Sequence, residues 1–182
     1  MDTRRKRAGR WVALAAVLLA PTVCAHPPQP ALFGVPLISA TRPALKQAIT
    51  AAHMTLRSGG THRWFDVYNV NGALKNATRL TVSFTQNGRF AKAVYVFPSH
   101  VSTDRTAQVL SMVRAKYGPP TKKRGSVDIG PVQAIWKLPQ TFEIIVKRHW
   151  PDPTTFMIIE NRTMLGRMKE EQRQAMAHSG AF

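Results

Sequence analysis

The chain has 182 residues, with 26 Lys and Arg against nine Asp and Glu, a formal net charge of +17 and a single cysteine. One cysteine rules out an intrachain disulfide framework, so a domain working outside the cytoplasm must be held by its apolar core. So few carboxylates leave little from which to build a paired-acid catalytic centre, and the positive field favours anionic partners.

Residues 1–25 read as a secretory signal peptide. Arg4, Arg5, Lys6, Arg7 and Arg10 form a basic segment and residues 11–20 (WVALAAVLLA) an apolar one. Val23 and Ala25 supply the small residues that a signal peptidase reads. The apolar run falls far below the ~18–20 residues that span a bilayer. The expectation is cleavage after Ala25, a mature chain beginning at His26, and a soluble periplasmic location. Cys24 leaves with the leader; Val23 before it departs from the Gly, Ala or Ser preferred ahead of an acylated cysteine, so lipid attachment at Cys24 is the lesser reading. Residues 26–182 then carry 21 basic and eight acidic side chains, a net charge of +13.

After a stiff lead-in at residues 26–30 (HPPQP), Phe33 to Leu37 is an apolar segment. Thr41 is placed as an N-cap with Pro43 in the first turn, and Leu45, Ala48, Ile49 and Ala52 give one helical stripe. Ser58, Gly59 and Gly60 are expected to end that helix. Three strands follow: residues 64–70 (WFDVYNV), residues 80–84 with Leu80, Val82 and Phe84 facing inward, and Phe90 to Phe97. Asn87 and Gly88 are read as a two-residue hairpin turn. A second helix begins at Ser102 or Thr103 with Asp104 in its first turn, presents Thr106, Val109, Leu110, Val113 and Tyr117 on one face, and closes at Gly118. Residues 122–125 (KKRG) are read as a basic loop. Val132 to Lys137, Thr141 to Arg148 and Phe156 to Glu160 are three more strands, and the tail from Arg162 to Met176 is a last helix.

This order predicts an α+β fold of two consecutive α-β-β-β units, an antiparallel sheet with helices packed on one face, and a C-terminal helix. The domain is placed at residues 26–160, with halves at 31–98 and 101–160, and the tail at 161–182.

The residues offer little catalytic chemistry. None of the six histidines makes a His-x-x-x-His or His-Glu-x-x-His pair, so neither metal nor cofactor is expected. Gly-x-Ser-x-Gly and Ser-x-x-Lys are absent. Asp66 is the one acid inside an apolar strand, and it reads as a residue on the exposed face of that strand pairing with a nearby arginine rather than as a catalytic acid. Cations and aromatics interleave at Arg63, Trp64 and Phe65, at Arg89 and Phe90, and at Lys147, Arg148, His149 and Trp150. On a sheet face such a set could bind, and Arg63, Trp64, Arg89, Lys147, Arg148 and Trp150 form the candidate interaction surface. The tail adds Met164, Leu165, Met168 and Met176 on one helical face, which either docks on its own domain or meets a partner or an anionic membrane.

Residues 33–37 (FGVPL), 40–42 (ATR), 64–68 (WFDVY), 88–91 (GRFA), 95–98 (YVFP) and 116–119 (KYGP) together resemble a family of uncharacterised exported proteins of Gram-negative bacteria. The resemblance implies a periplasmic location and no assigned activity. The element order is also loosely similar to small periplasmic folds of the β-lactamase-inhibitor and outer-membrane-assembly-lipoprotein kind. The functional expectation is a non-enzymatic periplasmic binding protein whose basic surface favours an unknown protein or an anionic envelope component. Peripheral membrane contact fits this expectation, and specific nucleic-acid binding does not. The alternative is an accessory enzyme acting on an anionic lipid or glycan of the envelope.

Overall fold

The computed structural model describes residues 29–60, 64–99 and 104–179. The leader and its cleavage point, Arg63, and the expected cap at Ser102 or Thr103 lie outside the described residues. Two short strands, β1 (Ala31–Leu32) and β2 (Val35–Pro36), turn the lead-in back on itself. Helix α1 (Arg42–Ala51) follows an extended Thr41, carries Pro43 in its first turn and buries Leu45 and Ile49 completely.

α1 stops well before Gly59. His53 adopts a left-handed φ of 61°, and residues expected in the helix form strand β3 (Thr55–Ser58) instead. The pairing of β3 with its neighbour overrides the local helical pattern, as tertiary contacts commonly do for so short a segment. β4 (Phe65–Asn69), β5 (Arg79–Phe84) and β6 (Phe90–Phe97) come next. β5 and β6 do not meet in a two-residue turn. Thr85 N–H donates to Arg89 O (2.9 Å) and Gly88 N–H to Thr85 O (2.9 Å), which makes a three-residue loop whose left-handed residue is Gly88 alone (φ 74°). The Asn-Gly pair with both φ positive is Asn71 and Gly72, between β4 and β5.

Helix α2 (Asp104–Tyr117) buries Thr106, Val109 and Val113 and ends at Gly118. The expected basic loop is an exposed edge strand, β7 (Lys122–Arg124). β8 (Val132–Lys137), β9 (Phe142–Arg148), β10 (Thr155–Asn161) and helix α3 (Arg162–Ser179) complete the chain.

The fold is α+β, but it is richer in strands than two α-β-β-β units. Eight strands form one antiparallel sheet in the order β3-β4-β5-β6-β10-β9-β8-β7. Each of the first two helices is followed by a four-strand meander, and the meanders join where β6 pairs with β10. The two strands of this sheet that pattern reading misses are the outermost ones, which are short and polar.

One face of the sheet carries the core. Tyr68, Leu80, Val82, Phe84, Ala93, Tyr95 and Phe97 from the first meander and Ala134, Trp136, Phe142, Ile144, Val146, Met157 and Ile159 from the second form one cluster with Leu45 and Ile49 of α1 and Val109 and Val113 of α2. Trp136 is 2% exposed, and its indole N–H donates to Gly118 O at 2.9 Å. α3 does not join α1 and α2. Leu165 and Met168 pack on Ala91, with Trp64 and Met164 beside them, in a separate small cluster. Arg162, in the first turn of α3, bonds Glu143 and lies 3.9 Å from Glu160, both of which point away from the main core. The tail therefore docks along its first half.

Met168→Ala should cost about 2–4 kcal/mol, the usual range for truncating a buried methionine, whereas Lys169→Ala, exposed on the next position, should change stability by under ~0.5 kcal/mol. Urea unfolding of the two variants measures both values.

Candidate interaction face

Strand alternation gives the sheet a second face, opposite α1 and α2. Across it the register aligns Val67 with Thr81, Thr81 with Val94, Val94 with Ile158, Ile158 with Ile145, and Ile145 with Ile135. The five aliphatic residues of this row are half-buried. With strands ~4.8 Å apart, the row runs roughly 24 Å across the sheet. Lys122 stands at its β7 end, opposite Ile135.

The adjacent row is cationic and aromatic. Arg79 faces Val96, Val96 faces Phe156, Phe156 faces Lys147, Lys147 faces Gln133, and Gln133 faces Arg124. The third row contains the acids of this face, Glu143 and Glu160, and Arg162 holds both. α3 reaches only this end of the face. The rest presents aliphatic side chains beside Arg79, Lys147, Arg124 and Lys122, with no acid among the described residues of those two rows.

The candidate residues from the sequence are only partly brought together. Lys147 lies on this face. Arg148, its neighbour, points to the other side and is 2% exposed: its guanidinium donates to Gly130 O (2.7 Å), Val127 O (2.9 Å) and Ser126 O (3.3 Å). It is a structural residue and not part of an exposed surface. Arg89 donates to Ile38 O at 2.7 Å and braces the lead-in. Trp64, Met164, Leu165 and Met168 do converge, but as the packing that seats α3. Trp150 and Met176 are exposed. The residues missed by sequence reading are Ile135, Ile145, Ile158 and Val94. Their signal is present: residues 144–146 (IIV) and 157–159 (MII) are apolar at both strand parities, the pattern of strands covered on two sides.

Asp66 sits on the core face. Arg42 Nε and Nη2 donate to its two carboxylate oxygens at 2.9 and 2.6 Å, and the acid is 3% exposed. It is thus buried rather than on an exposed strand face, though its partner is an arginine as expected. Gly59 makes the approach feasible, because a Cβ there would stand 2.0 Å from Asp66 Oδ1. Tyr68 lies in the same layer. Burial, and next the charge of Asp66, push its phenol up to about 12, while Arg42 opposes the shift. Its hydroxyl has no hydrogen-bond partner among the described residues. No group of three or more His, Cys, Asp or Glu that could hold a metal occurs among the described residues, and no helix there is long and apolar enough to cross a membrane.

No family model matches the chain, and no curated protein matches it. Among solved structures it is similar to a DUF4309 family protein, YjgB, from Bacillus subtilis, at 13% identity and a TM-score of 0.45, over 71% of this chain and 83% of that one. A likeness at that level assigns neither activity nor partner.

Two outcomes follow from the Asp66 layer. Arg42→Met strands a buried carboxylate and should destabilise by about 3 kcal/mol, part of which returns when Asp66→Leu is added; chemical denaturation of the single and double variants checks this. Tyr68 ionises near pH 10 in the unfolded chain and near 12 in the folded one, so stability is intact below pH 10 and declines as pH rises toward 12. Burial also raises Tyr95. A phenolate absorbance titration should therefore show at least two of the three tyrosines ionising late or only with unfolding.

Proposed function

We propose that this is a non-enzymatic binding protein of the periplasm that holds an anionic, partly apolar component of the cell envelope on the open face of its sheet. The single observation that carries the reading is the pairing of the aliphatic row Val67, Val94, Ile158, Ile145 and Ile135 with the uncompensated cations Arg79, Lys147, Arg124 and Lys122. A contiguous apolar row left partly open on a folded domain is a candidate binding surface. Cations beside it select an anionic partner and accelerate its encounter. An anionic lipid has both parts: acyl chain for the aliphatic row and headgroup for the cations. The periplasmic location is supported by the leader-like residues 1–25, and the resemblance to exported proteins of Gram-negative bacteria agrees with it.

The exported protein should bind vesicles of phosphatidylglycerol but not of phosphatidylcholine alone, and added salt should weaken the binding. Ile145→Glu and Ile158→Glu should each lower the affinity at least about tenfold, equivalent to ~1.4 kcal/mol. Lys46→Glu, on exposed α1 behind the sheet, removes more positive charge but should have a much smaller effect. Sedimentation with vesicles reads all four proteins. Equal losses in Lys46→Glu and Ile145→Glu would assign the binding to diffuse charge and reject the face.

A further inference from the structure

At the β7 end of the open face the cationic row closes into a cleft of about 410 Å³, lined by Arg124, Gly125, Pro131, Gln133, Lys147 and His149. We infer that this cleft is a binding site for a phosphate ester group. The inference rests on the open face being the binding surface and names the chemistry of one end of its ligand.

Register carries the first part of the argument. Arg124, Gln133 and Lys147 stand directly opposite one another on three adjacent strands. Neighbouring strands lie ~4.8 Å apart, so Arg124 and Lys147 begin about 10 Å from each other with the shorter amide between them. Two long cationic side chains that flank a neutral hydrogen-bonding one and line the same cleft can cradle a single tetrahedral anion. Arg124 supplies the planar fork that matches phosphate geometry, and Lys147 supplies a compact charge. The His149 ring stands edge-on to Phe156 at 6.1 Å, on the same side of the sheet, and bounds the cleft.

Charge carries the second part. Arg148 lies behind the cleft at 2% exposure and has no carboxylate within 4.0 Å among the described residues; its partners are Thr106 Oγ1 and the carbonyls of Ser126, Val127 and Gly130. Carbonyl dipoles satisfy its donors without cancelling its charge, so from the core side of the sheet it adds to the positive potential of this end. Asp128, the acid of that loop, accepts from Ser126 Oγ instead, and Asp152 accepts from Thr154 N–H. The two cations of the lining that share the open face, Arg124 and Lys147, have no acid beside them there and exceed what one carboxylate neutralises. A phosphomonoester, close to −2 near neutral pH, matches them better, and the cleft is within the size range of small-ligand sites.

Calorimetric titration of the exported protein with inorganic phosphate, at constant ionic strength and near neutral pH, tests this directly. The expected result is saturable single-site binding that acetate at equal ionic strength does not reproduce. Arg124→Gln and Lys147→Met should each weaken it about tenfold, equivalent to ~1.4 kcal/mol, and Lys169→Met on α3 should leave it unchanged. Both cleft variants should keep the parent melting temperature, since neither Arg124 nor Lys147 has an ion-pair partner among the described residues. Absence of saturation, equal binding of acetate, or an equal loss in Lys169→Met overturns the site. Vesicles of phosphatidic acid identify the source of the group. If free phosphate releases the protein from them, the site takes a lipid headgroup; if phosphate saturates without releasing it, the site takes a free phosphate ester. Failure of phosphate to bind while phosphatidylglycerol vesicles still bind rejects the cleft alone. Phosphate saturation without any vesicle binding rejects the apolar part of the face and keeps the cleft.

Discussion

The pairing of β6 with β10 is the constraint on which the rest of this structure depends. Among the described residues it is the one ladder that joins the two meanders, and it runs from Thr155 opposite Phe97 to Glu160 opposite Lys92. A slip of one residue would send Met157 and Ile159 out of the core and turn Ile158 inward, since side chains alternate along a strand. The same register sets Val94 against Ile158, so it also joins the aliphatic rows of the two halves into one. β10 leads directly into α3, where Asn161 Oδ1 accepts from Met164 N–H at 3.0 Å and starts the helix. Core, open face and tail are thus placed by one set of backbone pairs.

The two halves solve a similar problem with an arginine near the start of each helix, half-buried in the first and buried in the second. In the first, Arg42 on α1 reaches Asp66 on β4, under the backbone of Gly59. In the second, Arg148 on β9 reaches the 126–130 loop and lies 3.5 Å from Thr106 on α2, whose hydroxyl pairs with Thr155 on β10 at 2.8 Å. Each arrangement ties a helix, a strand and a connecting segment together. They differ in charge. The first closes on itself as an ion pair, and the second leaves a full positive charge held only by neutral groups.

Much of the architecture was legible before the structure. β6 and β8 fall where alternation and Pro98 place them, and α2 ends at the glycine that caps it, because these elements carry strong local patterns. β3 and β7 were not legible. Residues 55–58 (TLRS) and 122–124 (KKR) have no apolar alternation, and only a partner strand makes them extended. The candidate surface suffered from ignoring parity. Lys147 and Arg148 are adjacent in the chain, so they must face opposite sides of the sheet, and grouping them as one cationic cluster could not survive folding. Likewise, Leu165 and Met168 read equally well as a free or a docked face, since a helical stripe does not say what covers it. The open face itself could have been anticipated from Ile145 and Ile158, the aliphatic residues at the outward positions of their strands.

An antiparallel sheet this wide still ends in two unpaired edges, and such edges invite a second copy to add on. β3 is bulged between Leu56 and Ser58, which spoils its ladder for a newcomer. β7 relies on a different guard: its three residues, Lys122, Lys123 and Arg124, are all exposed cations. A second β7 approaching edge to edge would bring six like charges together. The guard at that edge is therefore electrostatic, strongest in dilute salt and diminished by anything that neutralises Arg124 and its neighbours. Two of these three side chains, Lys122 and Arg124, also belong to the open face, whereas Lys123 alternates to the other side, opposite Ala134.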